Sequence, residues 1–298
     1  MATTPSAPFL VRHEFLLRRL HSLTGLVPVG AYMVVHLATN ATIWNGAATY
    51  QRAVNQIHSL GPILPLVEWI FIFLPILFHG LYGFAIMRTM LPNNVRYNYS
   101  SNVRYTFQRI SGLIAFLFIM WHVFHMHGWI HNEQWREFIK EFGAQFAPFN
   151  AATTATSAVQ SSFLVSAAYL IGVIACVFHL ANGLWTMGIT WGLWTTPEAQ
   201  RKANYVVGTI GVALLGIGVM AWAGFALRSA DFTSDRALEN KILESRLEAG
   251  QVSEQEAKHK RARPDPTQRA DASQNDSDQG ANGDTAPEPR PTGVIEET

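Results

Sequence analysis

Residues 110–131 read ISGLIAFLFIMWHVFHMHGWIH. From Ile110 to Ile130 the stretch holds no Asp, Glu, Lys or Arg. Its length meets the roughly 20 apolar residues that an α-helix needs to cross about 30 Å of hydrocarbon. It also crowds His122, His125, His127 and His131 together at its end. Four imidazoles this close look like a metal site, yet the string lacks the context of a zinc motif such as H-E-x-x-H. Only His122 is expected to act as a ligand, with partners on other helices, and His127 and His131 are expected at a water interface.

The rest of the chain agrees with a membrane setting. Of 298 residues, 49% are hydrophobic and only 14% charged, too apolar for most soluble domains of this size. Four further stretches reach spanning length, so the expected crossings are Leu23–Ile43, Ile63–Met87, Ile110–Ile130, Phe163–Ile189 and Val206–Leu227. The first is too long for a signal-peptide core and is read as an uncleaved helix. Pro28 and Pro75 fall inside spans, where neighbouring helices can re-satisfy the freed backbone groups. A lone Cys176 excludes internal disulfides and thiolate-held clusters.

Orientation follows from the cations of the short loops. With the N-terminus inside, the inner flanks hold Arg12, Arg18, Arg19, Arg88, Arg96, Arg104, Arg109, Arg201 and Lys202, against Arg52, Arg136 and Lys140 outside. Acidic residues are segregated: only Glu14, Glu68, Glu133, Glu137, Glu141 and Glu198 precede position 228. The chain therefore divides into a cytoplasmic segment 1–22, a membrane domain 23–227 and a polar, largely disordered extension 228–298 on the outer side. Within the extension, SDRALENKILESRLEAG is expected to form a short helix from near Ser234, with Leu238, Ile242 and Leu247 on one side. It is read as a solvated helix, with a docking element for a neighbouring subunit as the alternative.

Ligand-type side chains inside spans are costly and by default mark function. Each of the first four helices carries one: His36, His79, His122 and His179. In the outward-running helices one and three, and in the inward-running two and four, the histidine comes late. This places His36 with His122 toward the outer leaflet and His79 with His179 toward the inner. Two histidines facing each other at one level suit the axial positions of a haem, and the chain offers that arrangement twice. FHGLYG and FHLANG share F-H-x-x-x-G, which puts Gly83 and Gly183 one turn beyond His79 and His179, leaving space for a porphyrin. Arg19, Ser22 and Gly25 precede His36 much as Arg109, Ser111 and Gly112 precede His122, a weak repeat of two helical pairs.

RRLHSLTGLVPVGAYMVVHLATN, FIFLPILFHGLYG, QRISGLIAFLFIMWHVF and VFHLANGLWTMGITWG together resemble the dihaem cytochrome b membrane anchor of succinate:quinone oxidoreductases, the type with one large anchor polypeptide. The resemblance covers residues 12–227. It implies an all-α integral membrane protein of the bacterial cytoplasmic membrane, with four helices around two haems b and a fifth alongside. It implies partners, a flavoprotein with covalent FAD and an iron–sulfur protein on the cytoplasmic side, and electrons passing from succinate through the inner and outer haems to a quinone. Fumarate reductases of this type run the path backwards, and a dihaem anchor implies menaquinone. Carried onto this sequence, His79 and His179 ligate the inner haem, and His36 and His122 the outer.

Arg19, Ser22, Arg109 and Ser111 then stand where haem propionates or the iron–sulfur subunit meet the chain. Glu68 is placed to exchange protons with a quinone near the outer haem, and His125 faces that haem or the quinone. His58 is a weaker candidate. The residue two before His179 is Val177, and no internal proton wire is expected. The alternatives are another dihaem anchor, of hydrogenase or formate dehydrogenase type, and a non-redox scaffold whose histidines only hydrogen-bond. The family ordinarily ends soon after its fifth span, which leaves the extension unaccounted for.

Overall fold

Where water is absent, every backbone N–H and C=O must find a partner within its own segment, and helices satisfy that condition locally. The computed structural model describes residues 9–89, 96–97, 99–130, 132–229 and 231–262. Every regular element among them is helical. Five helical stretches are long and apolar enough to span a bilayer: Glu14–Asn45, Gly61–Arg88, Ser100–His127, Phe163–Thr190 and Pro197–Ala226. The protein is a multi-pass membrane protein, and apolar side chains such as Leu117, Ile171 and Val212 lie exposed on the spans, as lipid contact requires.

A four-residue turn, α1 (Phe9–Arg12), leads into α2 (Glu14–Leu26) and α3 (Val29–Ala41), which make the first crossing with a break at Pro28. Proline lacks the N–H that would continue the ladder. Helix α4 (Ala47–His58) lies beyond the first crossing, and α5 (Leu64–Glu68) begins the second. A π-helical turn, Trp69–Phe73, joins α5 to α6 (Leu74–Thr89) just before Pro75, where the regular hydrogen-bond pattern must shift. The third crossing is α7 (Ser100–His127), followed by the short α8 (Glu133–Ile139) and by α9 (Ala151–Gln160). The fourth and fifth are α10 (Phe163–Thr190) and α11 (Pro197–Ala226). Then come α12 (Phe232–Glu248) and α13 (Glu254–Lys260).

Three crossings begin nine or ten positions before the expected ones, at Glu14, Ser100 and Pro197. Hydropathy sees only the apolar part of a helix, whereas caps decide where it starts. Thr196 caps α11 by accepting from Ala199 N, with Pro197 in the first turn. At the other extreme, α7 stops at Gly128, whose φ of 81° few other residues adopt and whose N–H bonds the Phe124 carbonyl at 2.9 Å.

The bundle has two unlike ends. One, the basic end, carries Arg19, Arg88, Arg104 and Arg109. The other is closed by a cap of α4, α8, α9, α12 and α13. Ile43, Ala47, Tyr50, Val54, Ala151, Ala155, Tyr169 and Phe225 form a buried cluster that ties this cap to the spans. The N-terminus of α9 is buried, so its unpaired N–H groups need protein acceptors. Gln51 Oε1 accepts from Ala151 N at 2.8 Å, while Glu239 Oε1 accepts from Ala152 N at 2.7 Å and Thr153 N at 3.1 Å. Glu239 Oε2 also accepts from Thr153 Oγ1 at 2.7 Å, and the whole side chain is fully buried.

This corrects the reading of α12 as a solvated helix. Its inward face carries Glu239 and Leu243, with Leu247 packed partly alongside, whereas Leu238 is 39% exposed. The helix is turned by about one residue from the expected aliphatic face because its buried contact includes a carboxylate that caps another helix. Leu243, Val252 and Ala257 then close around Phe149. The Pro- and Asp-rich segment after 262, and His131, lie outside the described residues.

Glu239→Leu should leave two α9 amides without an acceptor and loosen the cap by about 1–3 kcal/mol. Limited proteolysis in detergent should then cut within residues 232–262 faster while the spans stay intact; unchanged protection would refute the assignment. Burial lowers the His58 pKa to about 4, with Lys260 adding to the effect. The unfolded cap binds this proton more readily than the folded one. The His58 contribution is therefore complete above about pH 6.5 and is lost as pH falls toward about 4. His58→Gln should flatten the proteolysis rate across that window.

Candidate functional site

At the basic end, α6 and α10 bring His79 and His179 to one level, ring centroids 6.0 Å apart and steeply inclined at 84°. His79 Nδ1 lies 2.8 Å from the backbone oxygen of His21 on α2, and His179 Nδ1 lies 3.0 Å from that of Gln108 on α7. A carbonyl only accepts, so Nδ1 carries the proton in both rings and Nε2 is left with its lone pair free. In a helix such a carbonyl already bonds the N–H four residues on. Four residues beyond His21 and Gln108 stand Gly25 and Gly112. The side chain at that position ordinarily leans back over the carbonyl. Without one, the oxygen's second lone pair is open to a neighbouring helix.

The fit is close. A Cβ on Gly112 would lie 2.6 Å from His179 Cε1, and one on Gly25 would overlap the His79 ring. The same device therefore appears twice, glycine on α2 or α7 admitting the histidine of α6 or α10. Beside these rings lies a cavity of about 290 Å³, whose wall includes Gly25, Gly80, Gly83, Gly112 and Gly183. Gly83 and Gly183 thus stand where the F-H-x-x-x-G pattern puts them.

At the capped end, α3 and α7 bring His36 and His122 together, centroids 5.8 Å apart and inclined at 74°. Here the groups beside Nδ1 are phenolic. Tyr32 Oη is 3.5 Å from His36 Nδ1, and Tyr169 Oη on α10 is 3.4 Å from His122 Nδ1. Two imidazoles binding one metal from opposite sides, at about 2 Å per metal–nitrogen bond, have centroids roughly 6 Å apart. Both pairs have that spacing. Among the described residues, no three His, Cys, Asp or Glu side chains converge on one point.

The other histidines of the opening stretch part company with His122. His125, like His122, approaches Tyr169 on α10. It is buried at 5% exposure, stacked on Trp121 at 4.9 Å, with Nδ1 2.8 Å from Tyr169 Oη. His127 sits in the last turn of α7 against Phe73 at 6.1 Å. A ring three positions from His122 on one helix diverges from it by about 60° at 3.6 residues per turn, so the two rings meet the Tyr169 hydroxyl from different directions.

The polar candidates separate too. Ser22 and Arg109 line the cavity, and Arg109 donates to the Met87 carbonyl. Ser22 accepts from Trp191 Nε1 at 2.9 Å, and Arg19 lies 5.3 Å from the Trp191 ring. Ser111 is buried, its Oγ 3.2 Å from the Gln108 carbonyl and 3.5 Å from His179 Nδ1. Glu68 sits at the capped end of the second crossing, where the π turn begins, within electrostatic reach of Tyr32 and Lys260. Val177 is core, packed with Leu37 and Leu214.

His21, stacked on His79 with centroids 4.0 Å apart, is a site residue that the span-by-span reading missed. So are Gln108, Tyr32 and Tyr169. The signal for the first two was present, since each stands four residues before a glycine of the repeat; nothing in the sequence marked the tyrosines.

No family model matches the chain. The chain is similar to the succinate dehydrogenase cytochrome b558 subunit of Bacillus subtilis (strain 168), with 35% identity over 213 residues that cover 71% of this chain and 97% of that protein.

Gly112→Ala should force the His179 ring out of its seat and lower the thermal midpoint by the equivalent of about 1–3 kcal/mol. Gly208→Ala, where an added Cβ meets nothing within 4 Å, is the control and should be neutral or better. Equal midpoints for both variants would show that the close approach has no energetic weight.

Proposed function

The chain belongs to the family of cytochrome b membrane-anchor subunits of succinate dehydrogenase, and from that premise we propose that it carries electrons between a cytoplasmic dehydrogenase core and membrane quinone. The membrane domain 23–227 holds two haems b. His79 and His179 would hold the inner haem through its iron, and His36 and His122 the outer. Each haem, when bound, supplies a centre that takes up and releases one electron. The core comprises the flavoprotein and iron–sulfur subunits, which carry FAD and the clusters. The N-terminus is cytoplasmic, the extension lies outside, and the quinone is menaquinone.

The observation that carries this reading is the state of the four rings. Each has a partner at Nδ1, a carbonyl for His79 and His179 and a phenol for His36 and His122, and the acceptor-only carbonyls leave Nε2 of His79 and His179 free for a metal. Ligating histidines are ordinarily held in this way, by a hydrogen bond from the other nitrogen that fixes tautomer and ring orientation.

The chain's other residues have distinct tasks. Arg109 and Ser22 bring a guanidinium and a hydroxyl to the inner cavity, where propionates would be neutralised. Gly83 and Gly183 keep that cavity open. Glu68 lies at the capped end, within electrostatic reach of Tyr32, whose hydroxyl approaches His36. A quinone takes up two protons with its two electrons, and the Glu68 carboxyl is placed to deliver one and to be reprotonated from the capped side. Arg104 clamps α7 to α10 and α11 through Asn182 and Asn204, which keeps the inner ligands in register.

Pyridine haemochrome assay of the purified complex should give two haems b per anchor, and each of His36→Leu, His79→Leu, His122→Leu and His179→Leu should lose at least one. Succinate oxidation by a soluble dye should survive in every variant that still binds its core, whereas quinone reduction should fall at least a hundredfold. Two haems retained after any single replacement would remove that residue from the ligand set.

A further inference from the structure

The two pairs of rings are held by different chemistry. The inner histidines donate to backbone carbonyls, which are fixed in direction and can only accept. The outer ones lie against tyrosine hydroxyls, which rotate and can accept or donate. A hydroxyl left free to choose would not define the tautomer of its histidine. At His122 a second ring shares the hydroxyl. Tyr169 Oη lies 3.4 Å from His122 Nδ1 and 2.8 Å from His125 Nδ1, so one hydroxyl stands between two rings.

We infer that His125 orients the Tyr169 hydroxyl and that Tyr169 is thereby the positioning residue of His122, setting how strongly that imidazole donates electrons at the outer site. The inference rests on the reading of His122 as a haem ligand. With Nε2 committed to iron, His122 Nδ1 bears hydrogen and Tyr169 Oη accepts from it. The phenol hydrogen then has one direction left, toward His125 Nδ1. His125 accepts, so its own hydrogen is on Nε2. No bond is made or broken; a single ordered chain, His122 Nδ1–H to Tyr169 Oη–H to His125 Nδ1, fixes all three polarities.

The surroundings keep the chain in place. Tyr169 is 8% exposed and His125 5%, so water does not replace either partner. Trp121 stacks on His125 at 4.9 Å and meets Tyr169 edge-on at 5.1 Å, while Phe118 stacks on His122 at 5.6 Å. Accepting from the Nδ1–H of a ligand raises that ligand's basicity and favours the oxidised metal. Removing the acceptor therefore makes the outer haem easier to reduce. The inner haem, whose ligands use carbonyls on α2 and α7, should not respond.

The test is redox titration of the intact complex carrying Tyr169→Phe, which deletes one oxygen and no carbon. Haem stoichiometry and the low-spin ferric resonance spectrum are read on the same samples. The expected result is two haems retained, the outer component shifted by roughly tenfold toward the reduced form at a given potential, about 59 mV for one electron, and the inner component unmoved. His125→Leu should shift the outer component in the same direction, and His125→Asn, whose Oδ1 can replace Nδ1 as acceptor, should restore it. Loss of the outer haem alone from Tyr169→Phe also supports the inference, since only the hydroxyl has gone. Unchanged potentials and resonances, or an equal shift of both haems, would overturn it while leaving the ligands in place. If the unmodified complex holds fewer than two haems, or His122→Leu keeps both, the underlying ligand assignment is what fails.

Discussion

An imidazole inside hydrocarbon has two polar nitrogens and no water to serve either. That constraint organises this molecule. One nitrogen can be reserved for a metal only if the protein itself satisfies the other, and the helices are cut to allow it. On α2 and α7 the cut is a glycine, which uncovers the carbonyl four residues earlier and seats the histidine of the facing helix against it. A hydrogen bond of this kind contributes about 1 kcal/mol net, but its larger effect is to fix a tautomer. The ring's remaining lone pair then points in a single direction.

The pair at the capped end meets the same constraint with phenols, and so depends on more of the fold. Tyr169 comes from α10 and belongs to the buried cluster beneath the cap, where it shares neighbours with Tyr50, Ala155 and Phe225. Tyr50 Oη donates to Asn40 Oδ1 at 3.2 Å, and Asn40 Nδ2 donates to the His36 carbonyl at 2.8 Å. The cap is therefore joined by short hydrogen-bonded links to the helical turn that bears His36. Its own integrity rests on Gln51 and Glu239, two buried side chains that satisfy the first three N–H groups of α9. Left unpaired, those groups would each cost about 1–3 kcal/mol. The C-terminal helices, through Glu239, thus help hold the cap whose α9 packs with Tyr169.

Much of this was legible beforehand. Five crossings, four histidines at two depths and the F-H-x-x-x-G pattern are statements about periodicity and length, which a helix in lipid obeys strictly because it has no other way to satisfy its backbone. The repeat of serine and glycine before His36 and His122 was visible as well, but its meaning was not. It prepares seats for the histidines of the neighbouring helices rather than for those that follow in the same chain. The helix ends were misjudged where caps and charged turns extend a span past its apolar window, as at Glu14 and Thr196. The face of α12 was misjudged because a buried Glu239 contradicts the expectation that aliphatic residues turn inward.

The sequence by itself determined that the chain crosses a membrane five times and that its ligand-type residues fall at two heights, since rise per residue and the cost of buried polarity are local properties. Tertiary structure alone decided which nitrogen of His79 and His179 is free, which partners the crowded histidines on α7 meet, and what the last helices do. Those outcomes depend on which atoms from distant segments meet, Gly112 with His179, Tyr169 with His125, Glu239 with the α9 amides. No periodicity along one chain encodes the direction of a hydrogen bond to another helix.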